Sequence, residues 1–355
     1  LQALAGKIQN SSDQLSGQNI GNALYGIQNL SQVPIELLQA LAGKIQNSSD
    51  QLSGQNIGNA LYGLQNLSLV PIELLQALAG KIQNSSDQLS GQNIGNALYG
   101  LQNLSQVPIE LLQALAFKIQ NSNAELDCQA IGNALYGLQN LSQVPIELLQ
   151  ALVGKIQNSS DQLSGQAIGN ALYGLQNLSQ VPIKLLQALV AKIQNSNAEL
   201  SCQNIACALV GISEIPNNQQ ILNFLTKQIQ ALNFKDLNLQ ETFILCYGLS
   251  FYQQITWPDD LKNRFTQAKQ TFEGQFQSHA ERQAFSEIKQ KYPNEEIKTN
   301  YFFGGIEMDF YLPNLKLNIE IDGPHHQFKP TDQKRDRFLK LQGVSIERWN
   351  TPKNL

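Results

Sequence analysis

Arginine is absent from the first 215 residues of this 355-residue chain, which carry seven lysines against twelve acidic residues. Cation–phosphate contacts normally supply most of the affinity for nucleic acid, so that class of partner would have to be held there by something other than charge. Cysteine is scarce as well. Cys128, Cys202, Cys207 and Cys246 show no CxxC pairing and have no nearby histidine, which excludes a zinc module and a disulfide scaffold. They read as small buried hydrophobes in a reducing, intracellular compartment, a bacterial cytosol or an organelle. No run of eighteen apolar residues occurs, so a membrane partner is not expected. Met308 is the one methionine, and the chain opens inside a repeated unit with no targeting signal visible, so further units are expected upstream. What the chain does have is 42% hydrophobic content and room for more than one domain, which argues against wholesale disorder.

Internal repetition dominates. The string Leu-Gln-Ala-Leu starts at Leu1, Leu38, Leu75, Leu112, Leu149 and Leu186, a strict period of 37 residues. In the unit Val33 to Leu69, Pro34 suits the first turn of a helix because it has no N–H to leave unpaired. Ile35, Leu38, Leu41, Ala42 and Ile45 then form one apolar stripe. Asn47-Ser48-Ser49-Asp50 breaks that first helix, helix A. Ser53 is the expected N-cap of a second, helix B, with Ile57, Ala60, Leu61, Leu64 and Leu67 inward. Gly58 and Gly63 cost roughly 1 kcal/mol each relative to Ala in an isolated helix. Their recurrence implies close helix approach. Neither hairpin can bury its stripe alone, so the expected architecture over residues 1–214 is an all-α solenoid of 37-residue hairpins. Residues 215–275 keep weaker echoes of both helices and read as divergent capping repeats and linker.

The Leu-Leu-Gln-Ala-Leu of helix A and Ile-Gly-Asn-Ala-Leu-Tyr-Gly-Leu of helix B resemble the octotricopeptide repeat, whose units are typically one residue longer. The resemblance implies binding of single-stranded RNA, with a few side chains of each unit presented to one base. Candidates for that contact are Gln39, Gly43 and Lys44 of helix A, and the helix B slot held by Asn19, Asn56, Asn93, Ala130, Ala167 and Asn204. The Gly43 slot becomes Phe117 in the fourth unit and Ala191 in the sixth. The rival reading is a solvated Gln/Asn face on a scaffold that grips a protein partner.

From about Phe276 the pattern changes. Ser278-His279-Ala280-Glu281 has the spacing of a capping box, opening a helix that runs to Pro293. Ile306, Met308, Phe310 and Leu312 alternate with polar neighbours, as do Leu315, Leu317, Ile319 and Ile321, which predicts a hairpin through Pro313-Asn314. A helix over Asp332–Leu341 and a strand over Val344–Trp349 follow. The alternation puts Asp309 on one strand and Glu320 with Asp322 on the other, all on the non-core side. Convergent carboxylates repel unless a proton or cation lies between them, and such a cluster can hold Mg²⁺. The alternative is three solvated acids on an exposed sheet face.

The run Glu320-Ile321-Asp322-Gly323-Pro324-His325-His326-Gln327-Phe328, with Lys334-Arg335-Asp336 and Gly343-Val344 after it, resembles the RAP domain and small nucleases of the restriction-endonuclease-like superfamily. The resemblance implies a small α/β nuclease-fold domain over 276–355. It assigns Asp309 and Glu320 as metal-binding acids and Glu281 as the acid of the first helix. Asp322 stands where the superfamily usually has lysine, leaving His326 or Lys334 to supply the missing charge. Lys334 and Arg335 read either as a solvated helix face or as phosphate contacts. The combined expectation is RNA selection by the repeats in RNA processing or stability, with Mg²⁺-dependent RNA cleavage by the end domain as its extension.

Overall fold

Proline sets the pace of the first part of the chain. Pro34, Pro71, Pro108, Pro145 and Pro182 are each the N-cap of a helix rather than its first residue, entering it from an extended conformation. The computed structural model describes the chain apart from residues 31, 68, 105, 142, 253, 323–329 and 351–355 and the side chains of Pro330 and Thr331. Helices alternate as A and B members: α1 (Gln2–Asn10), α2 (Gly17–Gly26), α3 (Ile35–Asn47), α4 (Gly54–Tyr62), α5 (Ile72–Asn84), α6 (Gly91–Tyr99), α7 (Ile109–Asn121), α8 (Cys128–Tyr136), α9 (Ile146–Asn158), α10 (Gly165–Tyr173), α11 (Ile183–Gln194) and α12 (Cys202–Ile212). Each B helix is capped by a side chain, Ser53 in α4 and Asp127 in α8 for example, which accepts the backbone N–H three residues on.

Contacts run along the chain in two layers, odd-numbered helices against odd and even against even. The inward residues follow the expected stripe at Leu38, Leu41, Ala42, Ile45, Ile57, Ala60, Leu61 and Leu64, all buried. Ile35 departs from it. It is 36% exposed, and buried Leu37 takes a place in the stripe. The glycines show why the B layer is the tighter one: a β-carbon at Gly63 would lie 2.0 Å from the Leu24 carbonyl oxygen, and one at Gly58 3.2 Å from the Asn93 Cα. In the A layer a β-carbon at Gly43, Gly80 or Gly154 would meet nothing within 4 Å. Along the B layer Tyr25, Tyr62, Tyr99, Tyr136 and Tyr173 stack successively, with ring centroids 5.7–6.0 Å apart.

The chain divides into two compact units, residues 1–228 and 229–355, with the division inside α13 (Gln219–Ala231). The second unit contains α14 (Leu239–Ser250), α15 (Asp259–Lys269) and α16 (His279–Lys291), then strands β1 (Lys298–Phe303), β2 (Ile306–Leu312) and β3 (Leu317–Asp322), helix α17 (Pro330–Leu341) and strand β4 (Ser345–Asn350). The four strands form one mixed sheet in the order β1-β2-β3-β4, antiparallel except for the parallel pair β3–β4. The expected hairpin is β2–β3, with Phe310 opposite Ile319. Leu315 is not in it. The chain turns over Pro313–Lys316, with Lys316 at φ 47, and leaves Leu315 exposed. Strand β1 was not foreseen, because its Asn300 interrupts the alternation; it is buried at φ 44 and donates to the Gln275 carbonyl at 2.6 Å. Helix α14 packs close to the β1–β2 turn: the Gly305 amide donates to Ser250 Oγ at 2.6 Å, and a β-carbon at Gly305 would clash with the Cys246 backbone. Two apolar clusters accompany the sheet, one with Ala284 and Ile288 of α16, the other with Leu339 of α17 and Tyr247 of α14.

Candidate functional site

Two regions gather the residues singled out from the sequence, and they are built on opposite principles. The first is a recurring groove on the A layer. Gln39, Gly43 and Lys44 of α3 share a groove of about 530 Å³ with Glu36 and with Ser12, Asp13 and Gln14 of the preceding loop. One unit on, Gln76, Gly80 and Lys81 share another of about 670 Å³ with Glu73, Ser49, Asp50 and Gln51. The repeat makes this geometry, because each loop is stitched to its successor. Ser48 Oγ donates to the Leu15 carbonyl at 2.6 Å, and Asp50 accepts the Gly17 amide at 3.3 Å.

Lys44 belongs to the same stitching. Its ammonium donates to the Ser11 and Asp13 carbonyls, and Lys81, Lys118, Lys155 and Lys192 do the same one unit further each time. Lys118 is only 7% exposed, and burial holds its pKa below that of an ordinary lysine. These ammonium groups stabilise the chain's own carbonyls. The Asn slot lines neither A-layer groove. Asn56 lies against Gly21, Asn93 against Gly58 and Asn204 against Gly169, while Asn19, at the start of the row, is exposed. A separate B-layer groove of about 280 Å³ is lined by Gln92, Asn96, Asp127, Gln129, Ala130 and Asn133. The helix A and helix B candidates therefore form two rows.

The second region lies where β2 and β3 meet α17. Glu320 is 7% exposed and not on a solvated face, as the alternation had allowed. Its Oε2 accepts from Arg335 Nη2 at 2.9 Å and its Oε1 from Asn318 Nδ2 at 2.7 Å. Asp309 Oδ2 accepts the Ile321 amide at 2.7 Å. Burial, reinforced by the charge of Glu320, pushes the Asp309 carboxyl up to about 7. Asp322 pairs with Arg348 at 3.0 Å, and Arg348 also holds Asp336 at 3.0 Å. Arg335 is therefore an internal partner of Glu320, and its neighbour Lys334 is 1% exposed, so neither occupies a solvated helix face. Burial opposes the charge of Arg335, but Glu320 and Asp336 outweigh it and raise its pKa. Glu281 acts as a cap: it accepts from the Gln277 amide at 2.7 Å and from Ser278 Oγ at 2.9 Å. His326 lies outside the described residues.

No family model matches the chain, and no curated protein matches it. The site must therefore be read from its own donors. Both Glu320 oxygens and both Glu281 oxygens are engaged by protein groups, and among the described residues no three His, Cys, Asp or Glu side chains are grouped to hold a metal. At Glu320 the donors do not favour Mg²⁺: Arg335 supplies the positive charge that a divalent ion would bring there. Asp336 and Arg348 were missed as site residues. The signal for Asp336 was its place beside Arg335; for Arg348 it was the parallel register of β4, which sets it opposite Glu320.

Proposed function

We propose that the chain binds single-stranded RNA sequence-selectively through an α-solenoid of octotricopeptide-type repeats, in RNA processing or stability, and that its RAP-like end domain does not cut the RNA. The observation that carries this reading is the recurrence of an A-layer groove from one unit to the next, each lined mainly by amide and hydroxyl side chains, with two carboxylates and a lysine bonded to the chain's own carbonyls. Base edges are read by such groups when they are presented at regular intervals to an unpaired strand. The engaged carboxylate of Glu320 argues against hydrolysis, because a nuclease centre needs oxygens able to take a metal.

A second reading, a scaffold for a basic polypeptide, is favoured by one observation. Glu36, Glu73, Glu110 and Glu147 are exposed, each next to an isoleucine that is itself exposed. One experiment separates the two. The purified chain is incubated with a randomised single-stranded RNA pool, with Mg²⁺ and with EDTA, and the retained and cut molecules are sequenced. Retention of RNA containing a run of identical bases is expected, since the first three units are nearly identical, with no Mg²⁺-dependent cuts. Absence of any retained RNA would sink the RNA reading and leave the scaffold. Cuts lost in Asp309→Ala would instead restore the metal mechanism.

A further inference from the structure

In the row Gly43, Gly80, Phe117, Gly154, Ala191, one position differs in kind. Phe117 is 59% exposed on α7, at a place where the fold is content with glycine in the units before and after it. The ring is not needed for packing, since a β-carbon at the equivalent Gly80 or Gly154 would meet nothing within 4 Å. It therefore stands in solvent between two open slots, on α5 on one side and α9 on the other. An exposed phenylalanine gains nothing from the hydrophobic effect until something covers it.

The surroundings say what would cover it. Gln113, one turn back on the same helix, is exposed, and Gln76 and Gln150 hold the matching places on the neighbouring helices. An apolar side chain of a protein partner seeks an enclosing apolar pocket, and here the residue one turn from the ring is an amide, with the exposed Ile109 two turns back at the start of the helix. A heteroaromatic ring suits it better, because its face can stack on Phe117 while its polar edge meets the glutamines. The neighbouring Lys118 is bonded to the Ser85 and Asp87 carbonyls, so it offers little to a phosphate. A nucleotide bound here would be held by its base and not by its backbone.

We propose that Phe117 is a stacking platform for one nucleobase, the single aromatic anchor in a row of grooves that otherwise read by hydrogen bonds. This rests on the RNA reading above. The test measures binding of fluorescein-labelled homopolymeric RNAs of adenylate, uridylate and cytidylate by anisotropy, with the full chain and with Phe117→Gly, Phe117→Leu and Phe117→Trp. Phe117→Gly restores the residue found in neighbouring units, so its thermal midpoint should stay close to the wild type. It should weaken binding by about 5- to 100-fold, the range for loss of one base–aromatic stack. Phe117→Leu should lose most of that factor, whereas Phe117→Trp keeps it. The factor should be the same at low and high salt, because no phosphate contact is removed.

If the wild type binds and Phe117→Gly or Phe117→Leu binds equally well, the platform is wrong and the RNA reading survives. If the wild type binds none of these RNAs and retains nothing from the randomised pool, the RNA reading falls and takes the platform with it.

Discussion

Within the array a lysine ammonium reaches back to two carbonyls of the preceding unit, whereas in the C-terminal unit Arg335 and Arg348 reach across to carboxylates of β3 and α17. Both regions bury part of their charge, but they bury it against different things. A carbonyl already carries a dipole fixed by the backbone, so the lysine–carbonyl bond can be repeated from unit to unit without altering the surface charge pattern. A carboxylate–guanidinium pair is a local neutralisation that cannot be broken on one side without leaving a buried charge. The array thus keeps a surface of amides and a few glutamates, and the end domain keeps a self-neutralised core of ions. One region repeats a single stitch along its length, and the other holds its shape at one place.

Removing one partner of the end-domain cluster tests that difference most severely. Arg335→Ala leaves Glu320 beneath α17 without its cation and should cost about 3–5 kcal/mol of unfolding free energy in the C-terminal unit. Adding Glu320→Gln to the same chain should return much of it, measured by urea denaturation. Mg²⁺ should stabilise Arg335→Ala and leave the wild type unmoved, because only the variant frees a Glu320 oxygen. A wild type stabilised by Mg²⁺ to the same extent would show that Arg335 does not exclude the ion.

Next in size is the titration of Asp309. Its carboxyl is raised from 3.8 to about 7 in the fold, so the folded state binds a proton that the unfolded chain has lost over that interval. Stability therefore falls as pH rises from about 4 to about 7 and levels off above, by linkage. Asp309→Asn can still accept the Ile321 amide and carries no charge. It should be more stable than the wild type by on the order of 4 kcal/mol at pH 8, with the advantage shrinking toward pH 4. An advantage that does not change with pH would mean that burial of the charged carboxylate is not what the substitution relieves.

Much of this was legible beforehand, for identifiable reasons. The 37-residue period fixed the hairpins, the N-cap serines and the inward leucines, because helical spacing and backbone-bonding side chains act locally. The C-terminal helices and three of the four strands followed from alternation and capping. What was hidden depends on distant neighbours. Lys44 has the look of a surface cation until the loop 33 residues earlier comes beside it, and Glu320 the look of an exposed acid until α17 covers it. The five tyrosines are plain in the sequence, but their stacking at 5.7–6.0 Å depends on how closely the B helices approach. Strand β1 was missed because Asn300, bonded to a carbonyl 25 residues away, interrupts the pattern that marks a strand.

Gly63 and Gly43 set the two layers of the array against each other through one substitution. An alanine β-carbon at Gly63 would fall 2.0 Å from a backbone oxygen of the preceding unit, which cannot swing aside as a side chain could. Gly63→Ala should cost about 1–3 kcal/mol, the range for overpacking a close contact. The smallest expected effect is Gly43→Ala, and it has the opposite sign. The new methyl meets nothing within 4 Å, so only helix propensity is left to act, and that should stabilise by about 0.5–1 kcal/mol. Denaturant melts of the two variants beside the wild type read both at once. If both destabilise, the A layer is as tight as the B layer and the grooves along it are not open to a ligand; opposite signs mean that the array is held together on one layer and left open on the other.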